Sequence, residues 1–320
     1  MICNICFGYR YKEDDSEYKE IVRFTGLSSA GMRQSDAVVV LPWLRVFPLE
    51  GLEKVKESIR IRDPIYRRIL QEHIETFDPD NIRDITDAML QVRNDKSFLD
   101  QTELTVLTDD HIEMFTNALF TGAIETSLST VRWGIMYLIH WPQYQDIIYD
   151  EMIEACGSDR YPTLNDRPSL PHLQSFIQET LRYSSIVPLG IPHKAMKDCT
   201  ISGLPVPKGA HLMINHWNCH FDERHWDEPN EFKPSRWLDE NGNILSGRMR
   251  SFIPFGAGRR NCFGETVARQ QLFTLFSRMV KDFHVLNVPD EPLPSLEGKQ
   301  GIIISPIQFK VIFRSRNTFT

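Results

Sequence analysis

One cysteine of this sequence lies in a setting that suits metal chemistry. Residues 251–265 read SFIPFGAGRRNCFGE, so Cys262 lies in a glycine-rich loop two residues after Arg260. Glycines let the backbone bend tightly and approach a flat ligand closely. We expect the N–H groups of this loop, and of a helix starting after it, to lower the pKa of the thiol and to donate hydrogen bonds to sulfur. Such a thiolate is a soft metal ligand, whereas a buried cysteine in a packed turn is the simpler alternative.

An acid beside a hydroxyl is the second chemical feature. Residues from Asp109 to Trp141, capped by Thr108, are predicted to form one helix of roughly 45–50 Å. Its centre carries little charge apart from Glu125, which precedes Thr126. We expect this centre to be buried, and a buried acid is costly unless it has a partner or a task. Proton transfer and a structural role, with the hydroxyl bonded to a carbonyl of its own helix, remain equally open.

Other cysteines and histidines form weaker metal patterns. Cys3 and Cys6 are spaced as a Cys-x-x-Cys pair, but no second pair follows. His216, Cys219 and His220 lie close together without an evident fourth ligand, so the pattern disfavours zinc. The 6 cysteines are scattered along the chain, which is typical of free thiols in a reducing compartment.

Composition and charge exclude several classes of protein. The chain has 320 residues, of which 41% are hydrophobic and 25% charged, and this excludes a disordered or collagen-like protein. Its net charge of −7 argues against a general nucleic-acid-binding surface. No run of roughly 18 uncharged apolar residues predicts a membrane span.

The elements that must position the chemical residues are mainly helical. Beside the long helix, periodicity predicts shorter helices, the first of them interrupted at Pro64. They span Leu52–Glu75, Asn81–Arg93, Gln143–Ala155, Leu173–Tyr183 and Glu265–Phe283. Apolar runs between turns predict a minor β portion after Val187, with C-terminal strands at Gly301–Ile304 and Gln308–Phe313. No Pro/Gly/Ser-rich linker divides residues 1–320, so we predict one domain.

The cysteine loop matches the signature of a known family. Phe255, Gly258, Arg260, Cys262 and Gly264 occupy the fixed positions of the haem-binding pattern Phe-x-x-Gly-x-Arg-x-Cys-x-Gly. Through these residues the chain resembles the cytochrome P-450 haem-thiolate monooxygenases. Three further segments match family motifs in the expected order. They are Gly122–Ser127 (the oxygen-activating motif of the central helix), Glu179–Arg182 (the Glu-x-x-Arg motif) and Phe232–Arg236 (the segment whose Arg joins that pair).

The resemblance implies haem as the cofactor and assigns residues to it. Cys262 would be the thiolate ligand of the iron. Arg260 would pair with one haem propionate, and His193 would contact the other. Phe255 and Gly264 would complete the cofactor-binding loop.

Catalytic and substrate-binding residues follow from the same resemblance. Thr126 would donate a hydrogen bond to dioxygen, and Glu125 would relay protons from water. Glu179, Arg182 and Arg236 would form a buried charge network that positions the cysteine loop. Six small or apolar residues would line the pocket of a lipophilic substrate. They are Gly122, Ala123, Val187, Leu189, Ile302 and Ile303.

Fold, partners and location are also implied by the resemblance. The fold would be the C-terminal portion of a cytochrome P-450, with the long central helix crossing the haem. It would lack the N-terminal membrane anchor and the first helices. An NADPH-dependent flavoprotein reductase would supply electrons, with a small haem protein as a further redox partner, and no nucleic acid would bind. The intact parent would lie at the cytosolic face of the endoplasmic reticulum membrane.

Four segments narrow the resemblance to the microsomal steroid 17-alpha-hydroxylase/17,20-lyase group. They are Leu41–Pro48, Ile59–Asp63, Ile191–Ala195 and Leu293–Gly298. We therefore expect hydroxylation of a lipophilic, steroid-class substrate. Hydroxylation is favoured over the lyase step because Gln178 and Ser184 are uncharged where that group has basic residues. The open alternatives are a xenobiotic or fatty-acid monooxygenase of the same family, a haem-thiolate isomerase or dehydratase, and a truncated, non-catalytic haem-binding protein.

Overall fold

Helices dominate the structure. A computed structural model describes residues 2–34, 38, 41–95, 107–245, 247 and 249–316. The helices are α1 (Ile2–Phe7), α2 (Ser16–Gln34), α3 (Glu50–Glu75), α4 (Ile85–Asn94), α5 (Asp109–His140), α6 (Gln143–Cys156), α7 (Pro171–Ser184), α8 (His216–Phe221) and α9 (Glu265–Asp282). Short 3₁₀ helices occupy Pro42–Val46, Leu164–Ser169, Pro234–Trp237 and Gly258–Arg260. The prediction of a mainly helical chain with a minor β portion is confirmed.

The β portion of the described residues consists of two-stranded antiparallel sheets. Strand β1 (His193–Lys194) pairs with β4 (His211–Leu212), β2 (Cys199–Ile201) with β3 (Leu204–Val206), β5 (Phe283–Leu286) with β8 (Ile312–Ser315), and β6 (Gly298–Lys299) with β7 (Ser305–Pro306). In the β5–β8 pair, Phe283 lies opposite Ser315 and Leu286 lies opposite Ile312.

The strand predicted at Gly301–Ile304 is wrong. The backbone groups of Ile304 form hydrogen bonds that do not belong to a sheet. Its N–H donates to the Ile186 carbonyl at 2.7 Å. Its carbonyl accepts from the Ser129 hydroxyl at 2.8 Å and from the Trp133 indole at 3.1 Å. These contacts fix the segment against α5 instead of in a sheet.

Helix α3 continues through Pro64, although the sequence predicts an interruption there. Proline removes one backbone donor and leaves the carbonyl four residues earlier without its helical partner. Both Pro64 and Arg60 are exposed, so water can reach that carbonyl. The opposite face of the helix is buried at Tyr66, Ile69 and Leu70, and this packing holds the helix together.

Helix α5 has 32 residues, and its bounds agree with the sequence prediction to within one residue. The Thr108 hydroxyl accepts a hydrogen bond from the His111 N–H at 3.3 Å, as expected of a cap. The expected burial of the helix centre is wrong. Phe120 is fully buried, but residues 121–128 are half-buried or exposed. Apolar composition reports what a segment can pack against, and it does not identify which face is covered.

The chain divides into two compact units, Met1–Glu125 and Thr126–Thr320. The core of the first unit is an aromatic cluster of Phe7, Phe24, Tyr66 and Phe120. The ring centroids of Phe7 and Tyr66 are 5.4 Å apart and those of Phe24 and Phe120 are 6.0 Å apart. The cluster therefore joins α1, α2, α3 and the first half of α5.

Aromatic packing also forms the core of the second unit. Tyr137 of α5 lies 4.7 Å from Phe232, and Phe176 of α7 lies 5.5 Å from Phe276 of α9, measured between ring centroids. Gly134 lets α5 approach α9 closely, because a Cβ atom there would lie 2.2 Å from Cζ of Phe276. This packing fixes α7 against α9, and α9 begins directly after the cysteine loop.

Helix α7 begins against a carboxylate from α6. Both oxygens of Glu151 accept backbone N–H groups, from His172 at 2.7 Å and from Leu173 at 3.0 Å. Pro171 occupies the first turn and no side chain of the preceding residue caps the helix. Glu151 therefore supplies the cap from a neighbouring helix.

Candidate functional site

The cysteine loop is a tight turn joined to the start of α9. The Cys262 N–H donates to the Phe255 carbonyl at 2.8 Å, which closes the loop on itself. Gly256 and Gly258 have φ values of +74° and +75°, a region that L side chains rarely adopt. Helix α9 begins directly after Gly264, whose carbonyl accepts the first helical N–H. The glycines are thus required by the backbone path around Cys262.

The thiol of Cys262 does not behave as the sequence predicts. Cys262 is an exposed residue, but partial desolvation of its sulfur by the surrounding loop raises its pKa, the Gly264 amide lowers it, and the Glu265 carboxylate raises it again. The net direction is upward, so the expected lowering is wrong. Desolvation and a nearby acid outweigh one N–H donor. A coordinated metal ion would remove this proton, because a coordinating thiol is deprotonated outright.

Arg260 and Phe255 have different surroundings within the loop. Arg260 is exposed, and its guanidinium has no hydrogen-bond or ion-pair partner among the residues that the structure describes. Phe255 is half-buried, and the guanidinium of Arg269 lies 4.9 Å from its ring centroid. Such a cation–π contact attaches the loop to α9. Arg259, the residue next to Arg260, is exposed as well, so the loop that holds Cys262 presents cationic side chains at its surface.

His193 opens strand β1, opposite Leu212 of β4. The residue is half-buried, and its ring makes no hydrogen bond to another residue in the described ranges. The structure thus leaves both ring nitrogens open to a ligand. The predicted contact of His193 with a haem propionate stays a prediction.

The predicted charge network is present and is centred on a buried pair. Arg182 and Glu179 are both fully buried, and the guanidinium binds the two carboxylate oxygens at 2.7 and 2.9 Å. Arg236 donates to the same carboxylate at 3.2 Å. Further donors are the Trp237 indole and the Lys233 backbone N–H, both at 2.9 Å. The carboxylate is fully satisfied, so the network has no free group for chemistry.

Arg182 also reaches the chain that leads to the cysteine loop. Its remaining N–H groups donate to the carbonyls of His220 and Pro229 at 2.8 Å and of Glu231 at 3.0 Å. All five N–H donors of the guanidinium are therefore used. The network ties α7 to α8 and to the segment after it.

Glu125 and Thr126 lie in the half-buried centre of α5. The Thr126 carbonyl accepts a hydrogen bond from the Thr130 hydroxyl at 2.9 Å. Gly122 and Ala123 lie on the same stretch, and a Cβ atom at Gly122 would meet nothing within 4 Å. The predicted roles of these residues in proton delivery and substrate binding stay predictions.

The remaining predicted pocket residues belong to two adjacent segments of the second unit. Val187, Ile302 and Ile303 are half-buried and Leu189 is exposed. The Ile304 N–H donates to the Ile186 carbonyl at 2.7 Å. The structure thus brings the segment of Val187 beside the segment of Ile302. The predicted role of these residues in substrate binding stays a prediction.

The zinc pattern of His216, Cys219 and His220 is excluded by the partners of His220. Its ring accepts a hydrogen bond from the Ile253 N–H and contacts the Ser185 hydroxyl, so no nitrogen is left for a metal. No local sequence pattern indicates these two partners of His220.

Another group of metal-ligand types is found among the described residues, formed by His73, Asp84 and Asp87. The guanidinium and the backbone N–H of Arg83 donate to the Asp87 carboxylate, and His73 binds Asp84 at 2.8 Å. Because these side chains already bind one another and Arg83, we interpret the group as structural.

Comparisons with known proteins agree with the cysteine loop. A family model for cytochrome P450 matches residues 1–313. The chain belongs to the cytochrome P450 family. Membership implies haem held by a cysteine thiolate. The loop residues fit such a group, since Cys262 supplies a soft sulfur donor, Arg260 an unpaired cation, and Gly258 leaves open space where a Cβ would point.

Relatives of the chain share one description. It is similar to a "Steroid 17-alpha-hydroxylase/17,20 lyase" of Gallus gallus, with 37% identity over 320 residues, which cover 100% of this chain and 63% of that protein. A protein of the same description from Rana dybowskii is 36% identical, over 100% of this chain and 62% of its own length. The chain thus spans less than two thirds of the curated relatives it matches.

Solved structures support the fold. A zebra fish cytochrome P450 with progesterone superposes with a TM-score of 0.85 and 32% identity, over 98% of this chain and 68% of that one. A second structure, with abiraterone, gives a TM-score of 0.84 and the same 32% identity, over 99% and 69% of the two chains. The fold is that of a cytochrome P450. No helix in the described residues combines the length and hydropathy needed to cross a membrane.

Proposed function

We propose that the protein is a haem-thiolate monooxygenase that hydroxylates a lipophilic, steroid-class substrate. Dioxygen would supply the inserted oxygen atom, and an NADPH-dependent flavoprotein reductase would supply electrons. The observation that carries the proposal is the loop of Cys262, which holds the unpaired Arg260 two residues before the cysteine and whose backbone is turned by glycines. The steroid class is supported by the descriptions of the relatives and by the progesterone of the zebra fish structure.

Each residue has a task that follows from its chemistry. A bound haem would supply the activation of dioxygen through its thiolate-ligated iron. Cys262 would hold the iron, with the Gly264 amide donating to its sulfur. Arg260 and His193 would bind the carboxylates of the haem, because a cation and a ring N–H both donate to carboxylates. Phe255 would pack beside the cofactor.

Protons and substrate would be handled by other residues. Glu125 would accept protons from water and pass them on, and the Thr126 hydroxyl would donate a hydrogen bond to dioxygen. The apolar side chains of Val187, Leu189 and Ile302 would exclude water from the substrate. Gly122, Ala123 and Ile303 would complete this wall.

We extend the proposal to the domain and the location of the protein. Residues 1–320 would form one haem domain, since a single family model covers residues 1–313. The whole protein would act at the cytosolic face of the endoplasmic reticulum, with a small haem protein as a further redox partner. Resemblance to the microsomal steroid group supports this location.

The spectrum of the reconstituted chain tests the cofactor. Haem is added to the purified chain, which is then reduced and exposed to carbon monoxide. We expect the red-shifted Soret band that is specific for a thiolate ligand. Cys262→Ser should abolish the band, whereas Cys199→Ser, at an exposed cysteine of β2, should keep it. An unchanged band in Cys262→Ser would refute the proposed ligand.

Arg260 can be tested beside its neighbour. Arg260→Met removes the proposed propionate partner, and one charge-assisted hydrogen bond corresponds to roughly 10- to 100-fold in haem affinity. Arg259→Met is the matched control, because Arg259 is an exposed arginine of the same turn. Equal losses in a haem titration of the two variants would contradict the assignment. Steroid-dependent consumption of NADPH with added reductase then tests the reaction, and its absence with an intact Soret band would favour a non-catalytic haem protein.

A further inference from the structure

His220 of α8 has a ring whose two nitrogens have different, defined partners. The residue is fully buried. Its Nε2 lies 3.1 Å from the backbone N of Ile253, which can only donate, so Nε2 must be the unprotonated acceptor. Its Nδ1 lies 3.0 Å from the Ser185 hydroxyl and therefore carries the proton of the neutral ring. The two contacts together select one tautomer.

The surroundings of the ring keep it neutral. Burial, the neighbouring His216 and the Arg182 guanidinium lower the pKa of His220 to about 3. An imidazolium would lose the acceptor that faces Ile253 and would lie close to a cation. The lone pair on Nε2 is therefore present throughout the neutral pH range.

Ile253 is where the chain enters the cysteine loop. Its N–H is held by His220, and its carbonyl accepts the Gly256 N–H at 2.9 Å. The next contact along the loop joins the Phe255 carbonyl to the Cys262 N–H at 2.8 Å. Three hydrogen bonds, joined through the backbone of Ile253 and the peptide group of Phe255 and Gly256, thus link the ring of His220 to the backbone of Cys262.

The backbone of His220 also contacts the charge network of Glu179 and Arg182. Its carbonyl accepts from the Arg182 guanidinium at 2.8 Å. One residue therefore contacts α7 through its carbonyl and the loop entrance through its ring. Trp237, which donates to Glu179, also packs on Phe252 of this segment, but His220 links Arg182 to the Ile253 amide through hydrogen bonds.

We propose that His220 is a positioning residue for Cys262. Its neutral ring fixes the Ile253 amide and so sets where the turn from Phe255 to Cys262 presents its sulfur. The inference rests on the proposed function of Cys262 as an iron ligand. A histidine that merely filled space in the core, 5.9 Å from the ring of Phe252, would not need an acceptor at this nitrogen.

Two amide variants distinguish a residue that positions Cys262 from one that only fills space in the core. In His220→Gln, the side-chain oxygen can reach the place of Nε2 and accept from Ile253. In His220→Asn, the shorter amide reaches only the place of Nδ1, so the Ser185 contact can survive while the Ile253 contact is lost. Both are polar amides without charge, and neither residue touches the haem ligand.

Hydrogen exchange of the haem-free chain measures how strongly His220 binds the Ile253 amide at the start of the loop. We expect exchange of the Ile253 amide to accelerate about tenfold in His220→Asn, the equivalent of one buried hydrogen bond. Exchange should stay near the wild-type rate in His220→Gln, and the Leu181 amide inside α7 should be unaffected in both. Equal exchange at Ile253 in the two variants would overturn the proposal.

The spectrum of the haem-loaded chain measures the consequence for the sulfur. After reduction and addition of carbon monoxide, His220→Asn should show a smaller thiolate-specific Soret fraction than His220→Gln at equal haem content. Equal fractions would overturn the positioning role. If the wild-type chain shows no thiolate band, the proposed function fails, and the exchange experiment still decides whether His220 holds the loop.

A measurement on the wild-type chain needs no variant. If His220→Asn does not fold, the ¹⁵N chemical shifts of the His220 ring decide the question. A protonated Nδ1 with a bare Nε2 supports the proposal. The opposite tautomer, or a doubly protonated ring at neutral pH, overturns it.

Discussion

Replacement of Arg182 by methionine removes a cation from the middle of the second unit. The variant Arg182→Met loses the two contacts to Glu179 at 2.7 and 2.9 Å and the contacts to three backbone carbonyls. Methionine has a comparable length but no donor, so the core volume is largely kept. The loss of polar contacts is therefore the main effect.

The magnitude follows from what stays behind. Removing one partner of a buried ion pair costs about 3–5 kcal/mol. In the variant, Glu179 still accepts hydrogen bonds from Arg236, the Trp237 indole and the Lys233 N–H. The cost of leaving its carboxylate without Arg182 is therefore near the lower limit of this range. The carbonyls of His220 and Pro229 lose a charged donor at a cost of roughly 1 kcal/mol each. The sum, about 5 kcal/mol, is comparable with the whole stability of many domains.

Urea unfolding followed by tryptophan fluorescence measures the loss of stability in the second unit. All tryptophans except Trp43 belong to the second unit, so the signal reports on the unit that contains Arg182. Arg224→Met is the control, because Arg224 pairs with Asp222 on the surface and is 80% exposed. We expect a large decrease of the urea midpoint for Arg182→Met and almost none for Arg224→Met. Equal decreases would refute the role assigned to the buried network.

Two further predictions concern stability. Gly134→Ala should cost about 1–3 kcal/mol, because its Cβ would collide with the buried ring of Phe276. In contrast, Gly26→Ala, with nothing within 4 Å of its Cβ, should raise the melting temperature, and a shift of the same sign in both would contradict the packing. Burial opposes protonation of His73, but its hydrogen bonds to Asp84 and to a backbone carbonyl outweigh burial and raise its pKa above the ordinary 6.5. Its contribution to stability should be complete below pH 6.5 and should be lost as pH rises through the higher folded value, and a His73→Gln chain with the wild-type pH dependence of unfolding would refute this.

The sequence was most informative where spacing is set by local chemistry. The pattern of Phe255 to Gly264 has a fixed glycine at position 258, and the structure has a φ of +75° there. The bounds of α5 were predictable because Thr108 caps one end and Pro142 follows the other. Both signals depend on neighbours in sequence.

Errors arose where distant residues decide. Pro64 predicts a break, but packing of the opposite face keeps α3 intact. The apolar run before Ile304 predicts a strand, but contacts with Ser129 and Trp133 use its carbonyl. The partners of His220 lie more than thirty positions away, at Ser185 and Ile253, and no local pattern indicates them. The direction of the Cys262 pKa likewise depends on how far the folded loop desolvates the sulfur, which the sequence does not report.

Helix α7 is attached at both ends by groups from other elements. Glu151 binds two N–H groups at its start, and Arg182 near its end binds the carbonyls of His220 in α8 and of Pro229 after α8. A slide of the helix by one residue, about 1.5 Å along its axis, would break both attachments at once. These attachments hold α7 in place along its axis. A change in the position of the Cys262 sulfur relative to α7 is therefore expected to arise from bending of residues 253–262.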